Sequence, residues 1–336
     1  MRIVIVSPAP PGANNGNART AQRWRRMLAP LGSARVVQRW PDGPAAEADD
    51  VLLALHARRS AASVAAWHAQ RGSRGLAVVL TGTDLHRDLA VDAAAQRSLD
   101  QAGALVALHE RGPACLPARH RPRVHVLLQS ATPRRPLPKS PRVLRALMVG
   151  HLRDVKSPRT LFAAARLLAG REDICIEHVG EALEAKLGAQ AKATMAACPS
   201  YRWLGGLPHS ETRRRIQRAH VLVHASRMEG GAHAVIEAIV SGTPVLASHV
   251  DGNLGILGGS YPGTFPAGDA RALARLLVRC RETQLQPNGL LARLRTACAE
   301  RAHLFEPGRE RKALQRLVRD LAAPDPQASS GVARGV

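Results

Sequence analysis

The feature that most constrains this chain is the regular alternation of short apolar runs with amphipathic stretches. Residues 2–6, 35–38, 51–55, 76–80, 104–108 and 124–128 read as strands in the first half, and 146–149, 174–179, 201–204, 221–224, 244–247 and 263–265 in the second. Each run has the length of a strand buried on both faces. Helical spacing fills the intervals. Ala21, Trp24, Leu28 and Leu31 share one face, and Leu161, Ala164, Ala165 and Leu168 share another. Strands alternating with helices mean βαβ units and parallel sheets, hence an α/β class with two Rossmann-like halves.

At 336 residues the chain is long enough for two cores. Aromatic residues are 3% of it, so those cores are built of Ala, Leu and Val. The halves are divided by residues 131–142, ATPRRPLPKSPR, whose prolines and basic residues read as a linker rather than an element. The expected organisation is an N-terminal acceptor-side domain over 1–135 and a donor domain over 136–306. A C-terminal helix over 307–321 returns to the first domain, and the tail 322–336 has the composition of a disordered segment.

The formal charge is +22. An arginine-rich surface of coding-bias origin and an anionic partner both account for it. The basic residues are spread along the chain, without zinc-finger spacing, an RNP-like aromatic strip or a basic heptad region, so nucleic acid is not the indicated partner. The five cysteines are scattered, with no C-x-x-C, and indicate neither a disulfide framework nor a zinc site. The N-terminal apolar run is too short for a signal peptide and no stretch reads as a membrane span, which makes the cytoplasm the expected location.

The strongest chemical signal is SRMEGGAHAVIEAIVSGTPVLAS, residues 226–248. Glu229 precedes a helix and Glu237 lies within it. Gly230, Gly231 and Ala232 fall where the helix begins, so a ligand can approach the backbone, and the free N–H groups there favour an anion. Two carboxylates flanking a phosphate-binding turn suit two polyols joined by a diphosphate. A second signal, VGHLRDVKSP at 149–158, opens the second half after its first strand and carries His151, Arg153 and Lys156. Arg153 and Lys156 are candidates to stabilise a leaving diphosphate. A third, SPAPPGANNGNART at 7–20, lies between the first strand and first helix. Three residues separate Gly12 from Gly16, so a G-x-G-x-x-G fingerprint is absent, and Asn15, Gly16 and Arg19 are the candidate contacts. Two further loops follow strands of the first half, one with His56, Arg58 and Arg59, the other with Thr81, Gly82, Thr83, Asp84, His86 and Arg87. Ligands of open α/β sheets bind beyond the carboxyl ends of strands, and two cationic loops there point to an anionic acceptor.

Glu229 and Glu237 with their EA…SGTPVLAS continuation resemble the E-x7-E donor motif of GT-B glycosyltransferases, and VGHLRDVK resembles that family's donor-phosphate loop. His151 stands where the family usually has Arg. The resemblance implies two Rossmann-like domains facing across a cleft, with Glu229 on the donor sugar, Glu237 on the ribose, and Arg153, Lys156 and Glu229 as the catalytic set. Gly16, His151, Gly230, Gly231 and Ala232 complete the donor site, while Asn15, Arg19, His56, Arg58, Arg59, Thr81, Gly82, Thr83, Asp84 and Arg87 face the acceptor. PGANNGNART, TGTDL, WLGGLPH, MEGGAH and LASHVDGNLGILG, with its divergent turn at 251–259, are similar to the selenosugar synthase branch of selenoneine biosynthesis. That branch implies transfer from UDP-N-acetylglucosamine or UDP-glucose to selenophosphate, with a carbon–selenium bond formed. Ordinary hydroxyl acceptors, or a UDP-sugar epimerase on the same fold, stand as alternatives. No D-x-D occurs in the chain, so no metal and no cofactor beyond the UDP-sugar co-substrate is expected.

Overall fold

The computed structural model describes residues 1–10 and 15–323, so Gly12 of the first loop and the tail from 324 onward lie outside the described residues. Two compact units divide it.

The first unit holds a six-stranded parallel sheet of order β2-β1-β3-β4-β5-β6. Its strands are β1 (Arg2–Val6), β2 (Ser33–Val37), β3 (Val51–Leu55), β4 (Leu76–Leu80), β5 (Ala104–Ala107) and β6 (Val124–Val126). β3 and β4 are buried at every residue, which is why both read as unbroken apolar runs. Helices α1 (Gly16–Leu28), α2 (Ala61–Arg71), α3 (Leu89–Val91) and α4 (Ala93–Gln101) supply the crossovers. Asn15 caps α1, its side chain accepting from the Ala18 amide at 3.1 Å, and Asp92 caps α4 in the same manner.

The second unit repeats the plan with the order β12-β11-β10-β7-β8-β9. Its strands are β7 (Leu144–Val149), β8 (Ile174–Val179), β9 (Tyr201–Trp203), β10 (Val221–His224), β11 (Val245–Ser248) and β12 (Thr264–Phe265). Around them lie α5 (Pro158–Leu167), α6 (Ala185–Ala197), α7 (His209–Arg218), α8 (His233–Ile239), α9 (Asp251–Leu257), α10 (Ala270–Glu282) and α11 (Leu290–Ala302). All twelve strands legible in the sequence are present, several shifted by a residue or two at their ends.

The last helix, α12 (Pro307–Ala322), belongs to the first unit from Glu310 onward. Leu314, Leu317 and Val318 enter the core formed by Ile3, Ile5, Trp24 and Leu53. Glu310 is 1% exposed and accepts from Arg23 Nη2 at 3.0 Å and from Trp24 Nε1 at 2.7 Å. This buried carboxylate tethers α12 to α1. The helix runs one residue past the expected end, through Ala322.

The unit boundary also differs from the sequence reading. His109–Gly112 and everything from Leu128 to Arg309 belong to the second unit, so residues 128–135 change sides. The proline-rich stretch is an extended strap laid on that unit. The Arg134 and Leu137 amides donate to the Val240 and Gln217 carbonyls at 3.1 and 3.2 Å, and Gln217 Nε2 donates to the Arg135 carbonyl at 2.7 Å. Prolines remove donors, so the strap is fixed at isolated points instead of joining the sheet.

Candidate functional site

In an open α/β sheet the ligand crevice opens where adjacent strands send their crossovers in opposite directions. In the second unit this point lies between β7 and β10. The loops leaving their carboxyl ends are Gly150–Ser157 and Ala225–Ala232, which carry Lys156 and Glu229.

Those loops meet through Lys156 and Glu229, which are 73 residues apart in the chain. Lys156 Nζ lies 2.5 Å from Glu229 Oε1, and His224 Nε2 reaches the same oxygen at 3.0 Å. Glu229 is 7% exposed. Burial alone would raise its pKa, but the Lys156 charge and the His224 contact hold it well below the usual carboxylate range. His224 was not singled out from the sequence. Its signal was a polar residue ending the otherwise apolar strand Val221–His224.

Glu237 has a parallel arrangement. His209 Nε2, from the first residue of α7, donates to Oε1 at 2.5 Å; His233 Nδ1 lies 3.4 Å and Arg213 Nη1 3.9 Å from that oxygen. Here too burial opposes ionisation, and the contacts with His209 and His233 overcome it, leaving the carboxyl well below its ordinary range. Gly230, Gly231 and Ala232 lie in the turn between the two acids. The helix starts at His233, after the glycines, and Ala232 is its N-cap residue.

Beneath the β7 loop, His178 of β8 is fully buried. Its Nε2 donates to the Gly150 carbonyl at 3.1 Å, and Nδ1 lies 3.1 Å from the Tyr201 hydroxyl. Gly180 follows on the same side; a Cβ there would stand 1.9 Å from the Gly150 oxygen, so only glycine allows this approach. His151 Nδ1 accepts from the Glu181 amide at 3.1 Å, tying the loop to the end of β8. Arg153 is exposed at the N-cap of a short 3-10 turn over Asp154–Lys156.

The segment 251–259, read as a turn, is instead the helix α9 followed by Gly258 and Gly259. A Cβ on Gly252 would lie 2.2 Å from the Glu229 carbonyl oxygen, so α9 rests directly on the Glu229 backbone. Asn253 pins it, donating from Nδ2 to the Ser248 carbonyl at 2.9 Å.

In the first unit the switch point lies between β1 and β3, and the loops after β3 and β4 are bound to one another. Asp84 is fully buried and accepts from the amides of Ala57, Thr81 and Gly82 at 3.0, 2.9 and 2.8 Å. Its carboxylate thus closes the loops on each other and is spent within the protein, a scaffold position for a residue expected at the acceptor. Asp88, missed in the sequence, holds Arg58 Nε at 2.8 Å and Arg87 Nε at 3.0 Å. It brings together two of the expected acceptor cations; Arg59 is exposed beside them. His56 is buried, has a φ of +77°, and contacts Thr83 Oγ1 at 3.1 Å. Burial holds its pKa below the ordinary value, with Asp84 opposing. Such strain in a non-glycine residue persists only where the surroundings enforce it. Asn15 is committed to capping α1. Gly16 and Arg19 are exposed on the first turn of that helix, and a Cβ on Gly16 would meet open space.

Two parallel sheets with loops of this kind define the GT-B architecture, and known proteins agree. The family model for group 1 glycosyl transferases matches residues 131–297, nearly all of the second unit. The chain is a glycosyltransferase, and its second unit carries the group 1 glycosyl transferase domain. Among solved structures, sucrose-phosphate synthase from Thermosynechococcus elongatus is similar over 98% of this chain and 99% of its own, at 17% identity and a TM-score of 0.77. The Anabaena protein HepE, solved with UDP and glucose, is similar over 96% and 99% of the two chains, at 14% identity and a TM-score of 0.70. A trehalose-6-phosphate synthase, OtsA, covers 97% of this chain and is itself covered over 100%, at 11% identity and a TM-score of 0.72. At such identities these likenesses speak for the fold. No curated protein sequence is a significant match. Among the described residues no helix is long and apolar enough to cross a membrane.

Proposed function

We propose that this glycosyltransferase moves a sugar from a UDP-sugar, UDP-N-acetylglucosamine or UDP-glucose, to selenophosphate. The observation that carries the donor half is the pair of ionised, buried carboxylates, each held at one oxygen by cationic or histidine partners, on either side of the Gly230–Gly231 turn. Glu229 accepts from hydroxyls of the donor sugar, Glu237 from the ribose diol, and the turn with Arg153 and Lys156 receives the diphosphate. The UDP and sugar found with HepE, and the UDP and GlcNAc found with a pneumococcal O-GlcNAc transferase of similar fold, support a UDP-sugar donor.

The acceptor half rests on the motifs shared with the selenosugar synthase branch and on the cations of the first unit. A hydroxyl acceptor needs a base to remove its proton. The selenium of selenophosphate is already anionic and needs none. It attacks the anomeric carbon; a carbon–selenium bond forms as the carbon–oxygen bond to the diphosphate breaks, and UDP leaves with the electron pair. The requirement on the protein is then to hold two anions close, which positioning and cationic side chains supply. Arg58 and Arg87, gathered by Asp88, and Arg59 beside them serve the acceptor.

The test is mass spectrometry of the chain incubated with each UDP-sugar and enzymatically generated selenophosphate. The proposal expects UDP and a hexose product with selenium's isotope pattern in equal amounts. Turnover of UDP-sugar alone, or transfer only to hydroxyl acceptors, would replace it with the epimerase or the ordinary transferase.

A further inference from the structure

Glu237 is gripped from one side only. His209, His233 and Arg213 all approach Oε1, at 2.5, 3.4 and 3.9 Å. Among the described residues Oε2 makes no hydrogen bond. The three partners differ in their freedom. His233 is anchored by its Nε2, which donates to the Ser130 carbonyl at 3.1 Å, and its Nδ1 contact with Glu237 is long. Arg213 is 3% exposed; its Nη2 donates to the Thr132 carbonyl of the strap and to Ser241 Oγ at 2.8 and 3.1 Å, while its Nη1 stays 3.9 Å from Oε1. His209 alone makes a short, direct hydrogen bond, and it does so from the first turn of α7 with 47% of its side chain exposed.

We propose that His209 is a positioning residue for the ribose-reading carboxylate: it fixes Oε1 of Glu237 so that Oε2 is presented to the 2′- and 3′-hydroxyls of the nucleotide. A carboxylate with one oxygen anchored loses its rotation about the terminal torsion, and the remaining oxygen is aimed before the ligand arrives. Histidine suits the position because Nε2–H is a single directional donor on a short, stiff side chain. The proposal rests on the assignment of Glu237 to the ribose. It adds that a residue of α7, outside both donor motifs, sets how strongly the enzyme distinguishes a ribonucleotide from a deoxyribonucleotide.

The experiment compares binding of UDP and 2′-deoxy-UDP by calorimetry to the unmodified chain, His209→Ala, His209→Gln and Lys156→Gln. A charge-assisted hydrogen bond to one hydroxyl gives the unmodified chain a preference for UDP of roughly tenfold or more. His209→Ala is expected to shrink that preference to about two- to threefold by weakening UDP and leaving 2′-deoxy-UDP little changed. His209→Gln, which can place an amide N–H near Nε2, restores part of it. Lys156→Gln weakens both ligands alike and keeps the preference, since it acts on the phosphates. A preference unchanged in His209→Ala overturns the proposal, as does tighter UDP binding in that variant, which would make His209 a plug. If the unmodified chain shows no preference at all, the ribose assignment of Glu237 fails first.

Discussion

Acid titration of His178 is the sharpest consequence of the packing beneath the loop that follows β7. The Gly150 carbonyl can only accept, so Nε2 carries the proton and Nδ1 accepts from the Tyr201 hydroxyl. A neutral ring satisfies both contacts. Burial holds its pKa down to about 4, against 6.5 for an ordinary histidine, while the bond to the Gly150 carbonyl opposes the shift. Above pH 6.5 neither the folded nor the unfolded chain protonates this ring, and the contribution to stability is fully present. Between 6.5 and 4 the unfolded chain binds a proton that the folded chain refuses, so stability falls as pH falls, by about 1.4 kcal/mol per pH unit. The whole interval amounts to about 3 kcal/mol. His178→Gln keeps an N–H near Nε2 for Gly150 and does not titrate. Its stability at pH 7 is expected to drop by about 1–2 kcal/mol for lost packing and the Tyr201 contact, with a shallower decline toward pH 4. The assay is urea unfolding across pH 4–7, followed by the fluorescence of Trp203, the tryptophan of the second unit, in a background where the other three are replaced by Phe. His220 is also held down to about 4 by burial and contributes the same slope to both proteins, so it cancels in the difference. Parallel curves for the two proteins from pH 7 to 4 would refute the argument.

Other expectations follow from single contacts. Glu310→Gln leaves Arg23 without its carboxylate partner and loosens α12 from the first unit, costing about 2–4 kcal/mol; hydrogen exchange should show faster amide exchange in α12 while the second unit is unchanged. Gly252→Ala drives a methyl group against the Glu229 carbonyl and should raise the donor KM at least tenfold, readable in steady-state kinetics. Replacing Arg58, Arg59 and Arg87 together by Gln should raise the acceptor KM with the donor KM little affected; no change in acceptor kinetics would sink their assignment. Activity should survive EDTA, since the chain contains no D-x-D, and a strict need for Mg²⁺ or Mn²⁺ would contradict this.

The sequence made the strands legible because strands buried on both faces are unbroken apolar runs, and Val51–Leu55 and Leu76–Leu80 are wholly buried. It also singled out Glu229 and Glu237, whose spacing of eight keeps both beside one turn. What stayed hidden depended on tertiary contact. Asp251–Leu257, with two glycines in seven residues, has the local preferences of a turn. It is a helix because Gly252 meets the Glu229 carbonyl and Gly255 meets His109, where a side chain would not fit. The strap over 131–142 looked like a free linker because prolines show no ladder pattern, although the Arg134 and Leu137 amides and the Thr132 and Arg135 carbonyls bind residues of α7 and Val240 at the end of α8. The roles of His209, His224 and Asp88 were not legible because each matters through a partner distant in the chain or in another element, and polar residues at the ends of elements carry no pairing signal.

Transfer by this chain requires a nucleotide sugar seated between Glu229 and Glu237. Calorimetric titration of UDP-glucose and UDP-N-acetylglucosamine into the unmodified chain and into the double variant Glu229→Gln, Glu237→Gln tests this most directly. Removing two charge-assisted contacts should weaken binding by roughly a hundredfold or more. Equal affinity in the two proteins, or no binding of either nucleotide sugar to the unmodified chain, would contradict it.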